Sequence, residues 1–440
     1  MKFKRAIYIT AALLALLVVA PFLIPTGTYL KQVEQLASDK LGQPVTIGAL
    51  HVALLPTPRI RFSDIRIGRN EEIQVERVVA VPAIATLFSP VKVISRIEVQ
   101  QPVIKKAALD IFDRLAGAPG GTAPVAVRHI AINGARLEWE EMNLPAVNVA
   151  LTFSNEGKPE LAVLTSVDGK LKVDVVPTGE GYAIMLAAQK WTPPVGPALV
   201  FDSIHANMML QGKRLDVSAL SARLYGGALD GTATLNWAKD WLASGKIKAA
   251  GIEMDEATKL LSKNMHVSGR LSGNGTFGGS AKVAAALAER MTLDFRFDVA
   301  NGVLYGMDLA QAASLFVKQG QHGGETRFDE LSGMLHAAGK QYELRELKVA
   351  SGLLAANGGV KISPAKKLDG QVDVELKKGV ALVTVPLQVS GTLDEPVVMP
   401  TKAAMAGAVA GTAVLGPLGT SLGMKAGSAI DKLFGGNKKK

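Results

Sequence analysis

The residues best placed to do chemistry form the string Gly273-Asn274-Gly275-Thr276-Phe277-Gly278, with Asp298 twenty positions beyond its end. These are the pieces of a dinucleotide site: glycines for close approach to a pyrophosphate, and a carboxylate for the ribose. A strand-like segment precedes the string and a helix-like one follows it. The surroundings argue against the site. No parallel βαβ neighbours flank it, the adjoining chain reads as antiparallel hairpins, and tight turns account for the glycines. No cofactor is expected. The histidines, His51, His129, His205, His266, His322 and His336, show no His-x-His or His-x-x-x-His spacing, so no metal site is expected. His322 and His336 are near enough in sequence to meet across strands, yet read as surface residues. The chain has 0 cysteines, which excludes disulfides, thiolate metal sites and thiol nucleophiles. No Gly-x-Ser-x-Gly elbow and no Walker-type loop occurs. No catalytic residue is assigned, and the chain does not read as an enzyme.

The net charge of +10 suggests nucleic acid until it is located. Lys2, Lys4 and Arg5 lie ahead of an apolar run, and Lys425, Lys432, Lys438, Lys439 and Lys440 cluster at the other end. Little positive charge is left for the body, where a phosphate-binding groove would need it. Nucleic-acid binding is not expected. The run from Ala6 to Pro25 carries no charge and would reach about 30 Å as a helix, the thickness of a hydrocarbon core. Its basic flank places the N-terminus in the cytoplasm and the rest across the membrane. Cleavage after Ala20 would put Pro21 behind the scissile bond, so a retained anchor is expected rather than a signal peptide.

Beyond the anchor, Leu30, Val33, Ala37 and Leu41 share one face of a short helix that Gly42 can end. The pattern then alternates with period two. Ile60 and Phe62 oppose Arg59, Arg61 and Ser63. Leu137 and Trp139 oppose Arg136, Glu138 and Glu140, and Leu171, Val173 and Val175 oppose Lys172 and Asp174. Leu293, Phe295, Phe297 and Val299 oppose Thr292, Asp294, Arg296 and Asp298. Val372, Val374 and Leu376 oppose Gln371, Asp373 and Glu375. Each is a half-buried antiparallel strand with one wet face. Asp168-Gly169, Asp230-Gly231 and Asn357-Gly358 read as hairpin turns. Residues 220–235 and 347–362 align without gaps and hint at repeated hairpins. Helices are expected at 254–264, with Asp255 as N-cap, at 280–290 and at 307–319. Ala116–Ala126 reads as a flexible connection, and Trp191–Pro197 as a soft boundary.

The fold class is therefore mainly β: a long, twisted, mostly antiparallel sheet with a few short helices and one N-terminal transmembrane helix. An apolar sheet face needs a partner layer, and the helices are too few to supply one. The sheet must fold on itself or form an apolar groove. Leu293, Phe295, Phe297, Val372, Val374 and Leu376 are the candidate groove residues. The expected parts are 1–5 in the cytoplasm, 6–25 in the membrane, two β regions at 26–197 and 198–400, and an Ala/Gly-rich helical tail with a basic end at 401–440. The uncharged stretch Ala403–Met424 reads as short helices on or near the end of the sheet. A membrane-inserted segment is a second reading, weakened by Pro417 and low hydrophobicity, and a disordered tail is a third.

The order of these elements resembles the AsmA family. The likeness runs from LASDKLGQPVTIGAL (36–50) through LLPTPRIRFSDIRIG (54–68), IEVQQPVI (97–104) and VRHIAINGARLEW (127–139). It continues in HVSGRLSGNGTFGG (266–279), DVANGVLYGMDLAQAAS (298–314), residues 328–362 and VPLQVSGTLDEPVVMP (385–400), and is weakest over 141–200. The resemblance implies an inner-membrane anchor, a periplasmic body and a β-groove of the bridge-like lipid-transfer type. Phospholipid and the inner membrane are then the expected partners, with outer-membrane or envelope proteins as further ones. The implied role is phospholipid handling between the inner and outer membranes. The alternative is a periplasmic scaffold for outer-membrane protein assembly without lipid transport. The chain is short beside the larger members of that family. The anchor reading predicts that a phosphatase reporter fused after Leu50 is active and that the mature chain begins at Met1 or Lys2. Processing at Ala20, read by N-terminal sequencing, would refute it.

Overall fold

The computed structural model describes residues 26–55, 57–86, 92–108, 125–138, 144–194, 199–314, 323–378 and 381–415. The expected anchor, His322 and the end of the 307–319 segment lie outside these residues. No described helix is long and apolar enough to cross a membrane. The chain divides into two units between Ala198 and Leu199, directly after the Trp191–Pro197 break. The described residues form 22 strands, and nearly all their pairings are antiparallel.

The first unit opens with helix α1 (Thr26–Leu41), ended by Gly42 at φ +63°. Its strands are β1 (Val45–Ala53), β2 (Arg59–Ile67), β3 (Ile73–Pro82), β4 (Lys92–Gln100), β5 (Val103–Lys105), β6 (Val125–Glu138), β7 (Val147–Phe153), β8 (Pro159–Ser166), β9 (Leu171–Pro177) and β10 (Tyr182–Trp191). Val125 and Ala126, read from sequence as the end of a flexible connection, open β6. The first three strands pair in order, and β3 is followed by β4 and β5 on one side. Strand β6 then runs parallel to β4 and β5, and the remainder is an antiparallel meander. Leu30, Val33, Ala37 and Leu41 of α1 pack on a core of Val45, Ile47, Ile65, Ile73 and Val75. The helix also serves the free side of β1. The Val45 N–H donates to Ser38 Oγ at 2.9 Å and the Ile47 N–H to Glu34 Oε1 at 2.7 Å. Backbone donors that would otherwise stand open are thus satisfied.

The second unit is one unbroken meander: β11 (Phe201–Gln211), β12 (Arg214–Leu224), β13 (Gly227–Asn236), β14 (Trp241–Glu253), β15 (Arg270–Ala281), β16 (Thr292–Tyr305), β17 (Glu325–Ala338), β18 (Gln341–Ala350), β19 (Leu354–Ile362), β20 (Leu368–Lys378), β21 (Ala381–Gly391) and β22 (Pro396–Pro400). Every strand here pairs antiparallel with its neighbours in sequence. The aligned segments 220–235 and 347–362 are both hairpins, with their turns at matching places. Among the described residues two short helices interrupt the strands, α2 (Met254–Lys259) and α3 (Leu309–Ala312), each shorter than the helix expected at 254–264 or 307–319, and a longer one, α4 (Lys402–Leu415), follows β22.

Several local expectations are corrected. Asp168-Gly169 does turn between β8 and β9, with Gly169 at φ +72°. Asp230-Gly231 and Asn357-Gly358 do not turn; they lie inside β13 and β19. The turn before β13 is made by Tyr225 and Gly226, both at positive φ, as a two-residue primed hairpin requires. Glu253, not Asp255, caps α2, and no side chain closes that cap. The 280–290 segment holds only two 3-10 turns, Ala284–Ala286 and Ala288–Arg290, because it must return the chain to the adjacent strand.

Gly273, Gly275 and Gly278 are also strand residues, within β15, so the turn reading of that string is wrong. Their spacing serves cross-strand packing instead. A Cβ on Gly275 would come within 2.4 Å of the Asp294 carbonyl oxygen and 2.8 Å of the Phe295 ring. On Gly278 the nearest atom would be 3.6 Å away. The large ring occupies the room the glycine leaves, which explains how so few aromatics serve so glycine-rich a sheet. Gly275→Ala should therefore cost about 1–3 kcal/mol of stability in urea unfolding, through overpacking. Gly278→Ala, three residues along the same strand, should be close to neutral.

Candidate functional site

Alternation along β16 puts Leu293, Phe295, Phe297 and Val299 on one face and Asp294, Arg296 and Asp298 on the other. At Asn301, with φ +52°, the alternation shifts by one residue, so Val299 and Leu304 reach the same space. Strands β17 to β20 contribute Leu331, Leu335, Leu344, Leu347, Val360 and Val372. Together they line a cavity of about 370 Å³. That size falls within the range of small-molecule sites, roughly 300–1,000 Å³. Its wall is apolar apart from Thr258, His266 and Tyr342 among the side chains.

The cavity has a roof. The connection from β14 to β15 leaves the sheet through α2 and crosses the apolar face, presenting Met254, Leu261, Met265 and Val267 inward. Its far side is tied to turns more than 100 residues away in sequence. Ser262 Oγ lies 2.8 Å from Asp394 Oδ1 and 3.0 Å from the Leu393 carbonyl oxygen. Asn264 Nδ2 donates to the Asp394 carbonyl at 2.9 Å, and Lys366 Nζ to the Leu261 carbonyl at 2.9 Å. These ties measure the sheet. From β14 to β21 a flat sheet would extend about 34 Å at ~4.8 Å per strand. The eight residues between Glu253 and Ser262, six of them helical, reach only about 20 Å. The sheet of this unit is therefore curled, and the strap closes the mouth of the curl.

The six sequence candidates share the apolar face but divide in role. Phe295, Phe297 and Val372 line the cavity. Leu293 packs beside Phe295 in a cluster with Leu224, Ala249 and Ile252. Val374 and Leu376 belong to a filled core with Val385, Leu387, Val389 and Val398. Leu309 and Ala312 of α3 and Ala404 of α4 seal that core. Asp308 caps α3, accepting from the Gln311 N–H at 2.8 Å. The 403–424 stretch thus begins as a helix packed on the sheet; residues beyond 415 lie outside the described ones.

Polar side chains near the cavity are mostly satisfied. Thr258 Oγ1 lies 2.9 Å from the Met254 carbonyl and 2.8 Å from the Val267 carbonyl, either of which can take its one proton, and accepts from the Val267 N–H at 3.0 Å. The His266 ring stacks on Tyr305 at 4.4 Å, with Nε2 3.4 Å from Asp255 Oδ1 and Nδ1 buried without a partner. On the outer face, His336 pairs with Asp294 at 2.7 Å. Glu343 meets Arg345 and Lys361 there. Its hydrogen bond to the Arg345 guanidinium holds its carboxyl below the ordinary carboxylate range. Among the described residues no cluster of His, Asp or Glu could hold a metal ion. The 273–278 string has neither the turn nor the following helix that a pyrophosphate would need.

The fold and site define a class: an antiparallel β-meander that curls around an apolar chamber. Residues 194–347 match the model of the AsmA family, which agrees with the resemblance read from the sequence. The match covers β11 to β17 and the first seven residues of β18, together with the strap. No curated protein and no solved structure matches the chain.

The roofing residues escaped the sequence reading. The first half of the 254–264 segment, Met254–Lys259, was legible as a helix, but nothing local signals a tether to residue 394. Leu344 and Leu347 were missed because Glu346, at φ +51°, breaks their alternation. Ser262 is the centre of the tether, 4% exposed, and its oxygen also receives the Asn264 and Met265 N–H groups. Ser262→Ala should cost about 1–3 kcal/mol. Hydrogen exchange should rise across 255–267 before any change in β16 or β17; uniform protection would show that the strap does not depend on this hydroxyl.

Proposed function

We propose that this protein handles phospholipid, holding acyl chains against the apolar face of its sheet on the way between the inner and outer membranes. The observation that carries the reading is the strap-roofed chamber lined by Phe295, Phe297, Val372 and their neighbours. Each methylene moved from water into such a wall is worth about 0.8 kcal/mol, so a tail is held without a dedicated polar site. The AsmA match over 194–347 supports the same reading. In this proposal the 6–25 run anchors the chain in the inner membrane, the body lies in the periplasm, and no catalytic step is involved.

A second reading has its own support. Around Val374, Leu376, Val385 and Leu387 the apolar face is already filled by protein, with Val385 and Leu387 at 0% exposure. A sheet that fills itself along its whole length would act as an envelope scaffold instead. Native mass spectrometry of the detergent-extracted protein separates the two. The unaltered protein should carry phospholipid. Phe297→Asp puts a charge into the chamber wall and should reduce bound lipid about tenfold while the protein still accumulates, because an unpaired carboxylate beside hydrocarbon is costly. Arg296→Asp, on the outer face, should retain lipid. Absence of lipid from the unaltered protein would leave the scaffold reading.

A further inference from the structure

The hairpin tip between β13 and β14 carries features that the chamber does not use. Trp237 and Trp241 stack across it, with ring centroids 5.5 Å apart and planes 14° from parallel. Both rings are partly exposed, and neither indole N–H is hydrogen-bonded within the described residues. Leu242, the next residue, is 51% exposed. Val283, on the neighbouring tip after β15, is 58% exposed. Register brings these tips together. Trp241 pairs with Ala281, and the Trp237 N–H donates to the Lys213 carbonyl at 2.9 Å.

The charge carried by these tips has a definite sense. Lys213, Lys239 and Lys282 are exposed and have no ion-pair partner among the described residues. The carboxylate in the same turn is Asp240. Arg214 is already neutralised by Asp216 at 2.7 Å. Half-exposed indoles with free N–H groups, bulky apolar side chains and unpaired lysines are what a bilayer interface accepts. The rings settle at the level of the headgroups and the lysines meet anionic lipid.

We propose that the Trp237–Trp241 tip docks on an anionic lipid surface. Docking of this kind would bring the rim of the sheet to the bilayer. It does not depend on whether the chamber holds lipid, so the two readings stand or fall separately. A purely structural role for the indole pair, clamping the hairpin, explains the stack but not the unpaired lysines around it.

The test uses the full chain with Trp139→Phe and Trp191→Phe, so that only the tip fluoresces. It is reconstituted in vesicles of phosphatidylcholine brominated near the headgroup, with or without phosphatidylglycerol. Emission should be quenched about twofold in the anionic vesicles and little in the zwitterionic ones, with recovery at high salt. A triple variant, Lys213→Gln, Lys239→Gln and Lys282→Gln, leaves the stacked rings in place and should abolish the difference. Quenching that is equal in both vesicles and unaffected by the lysine changes would report lipid in the chamber, and would overturn docking. No quenching in either, with the unit still protease-resistant, would overturn it as well.

Discussion

A β-sheet with one hydrocarbon face cannot leave that face in water. In most folds a layer of helices meets this demand. Among the described residues of the second unit, α3 and α4 cover just one end of the face, and α2 belongs to the strap. The rest of the face is hidden by geometry: the meander curls, and a strap of sixteen connecting residues between Glu253 and Arg270 spans the opening. Curl, strap and chamber are therefore aspects of one solution. Removing the tether at Ser262 and Asp394 would expose the same face that the curl exists to hide.

The glycines belong to this solution too. A sheet that bends tightly crowds its inner face, and large side chains on every strand would collide there. Pairing a ring on one strand with a glycine on the next keeps the inner face apolar while leaving room. Phe295 over Gly275 is one case, and Phe328, whose ring lies 2.4 Å from where a Gly302 Cβ would sit, is another. The outer face answers to different physics. There, ladders such as Glu343 with Arg345 and Lys361 stay in water, where exposed pairs contribute little to stability but keep the surface soluble.

Much of this was legible in the residues. Period-two alternation marked β16 and β20 with the correct inner face, since side-chain direction follows directly from strand geometry. The apolar stripe of α1 was equally plain, as all four of its predicted residues pack on the first core. Turn cues were less faithful. Asn357-Gly358 has the composition of a hairpin, yet it is extended: a Cβ on Gly358 would lie 2.2 Å from the Gln371 carbonyl oxygen. Glycine chosen for closeness and glycine chosen for positive φ look the same in a sequence. The candidate site was half legible for a similar reason. The wall of the chamber is periodic and can be read; its roof depends on contacts between residues 130 positions apart, and these leave no local trace.

The unbroken meander also decides where this molecule can change size. Each strand in the second unit bonds only to its sequence neighbours, so a hairpin can be gained or lost without rewiring any other pair. Inserted ahead of β14, an extra hairpin would simply lengthen the sheet. Inserted between β14 and β21, it would add about 10 Å of arc beneath a strap whose reach is fixed. The strap thus divides the unit into a segment whose length is free to drift and a closed terminus whose strand number is held constant. Variation in overall length among chains of this design should accumulate on the β11 to β13 side of the second unit.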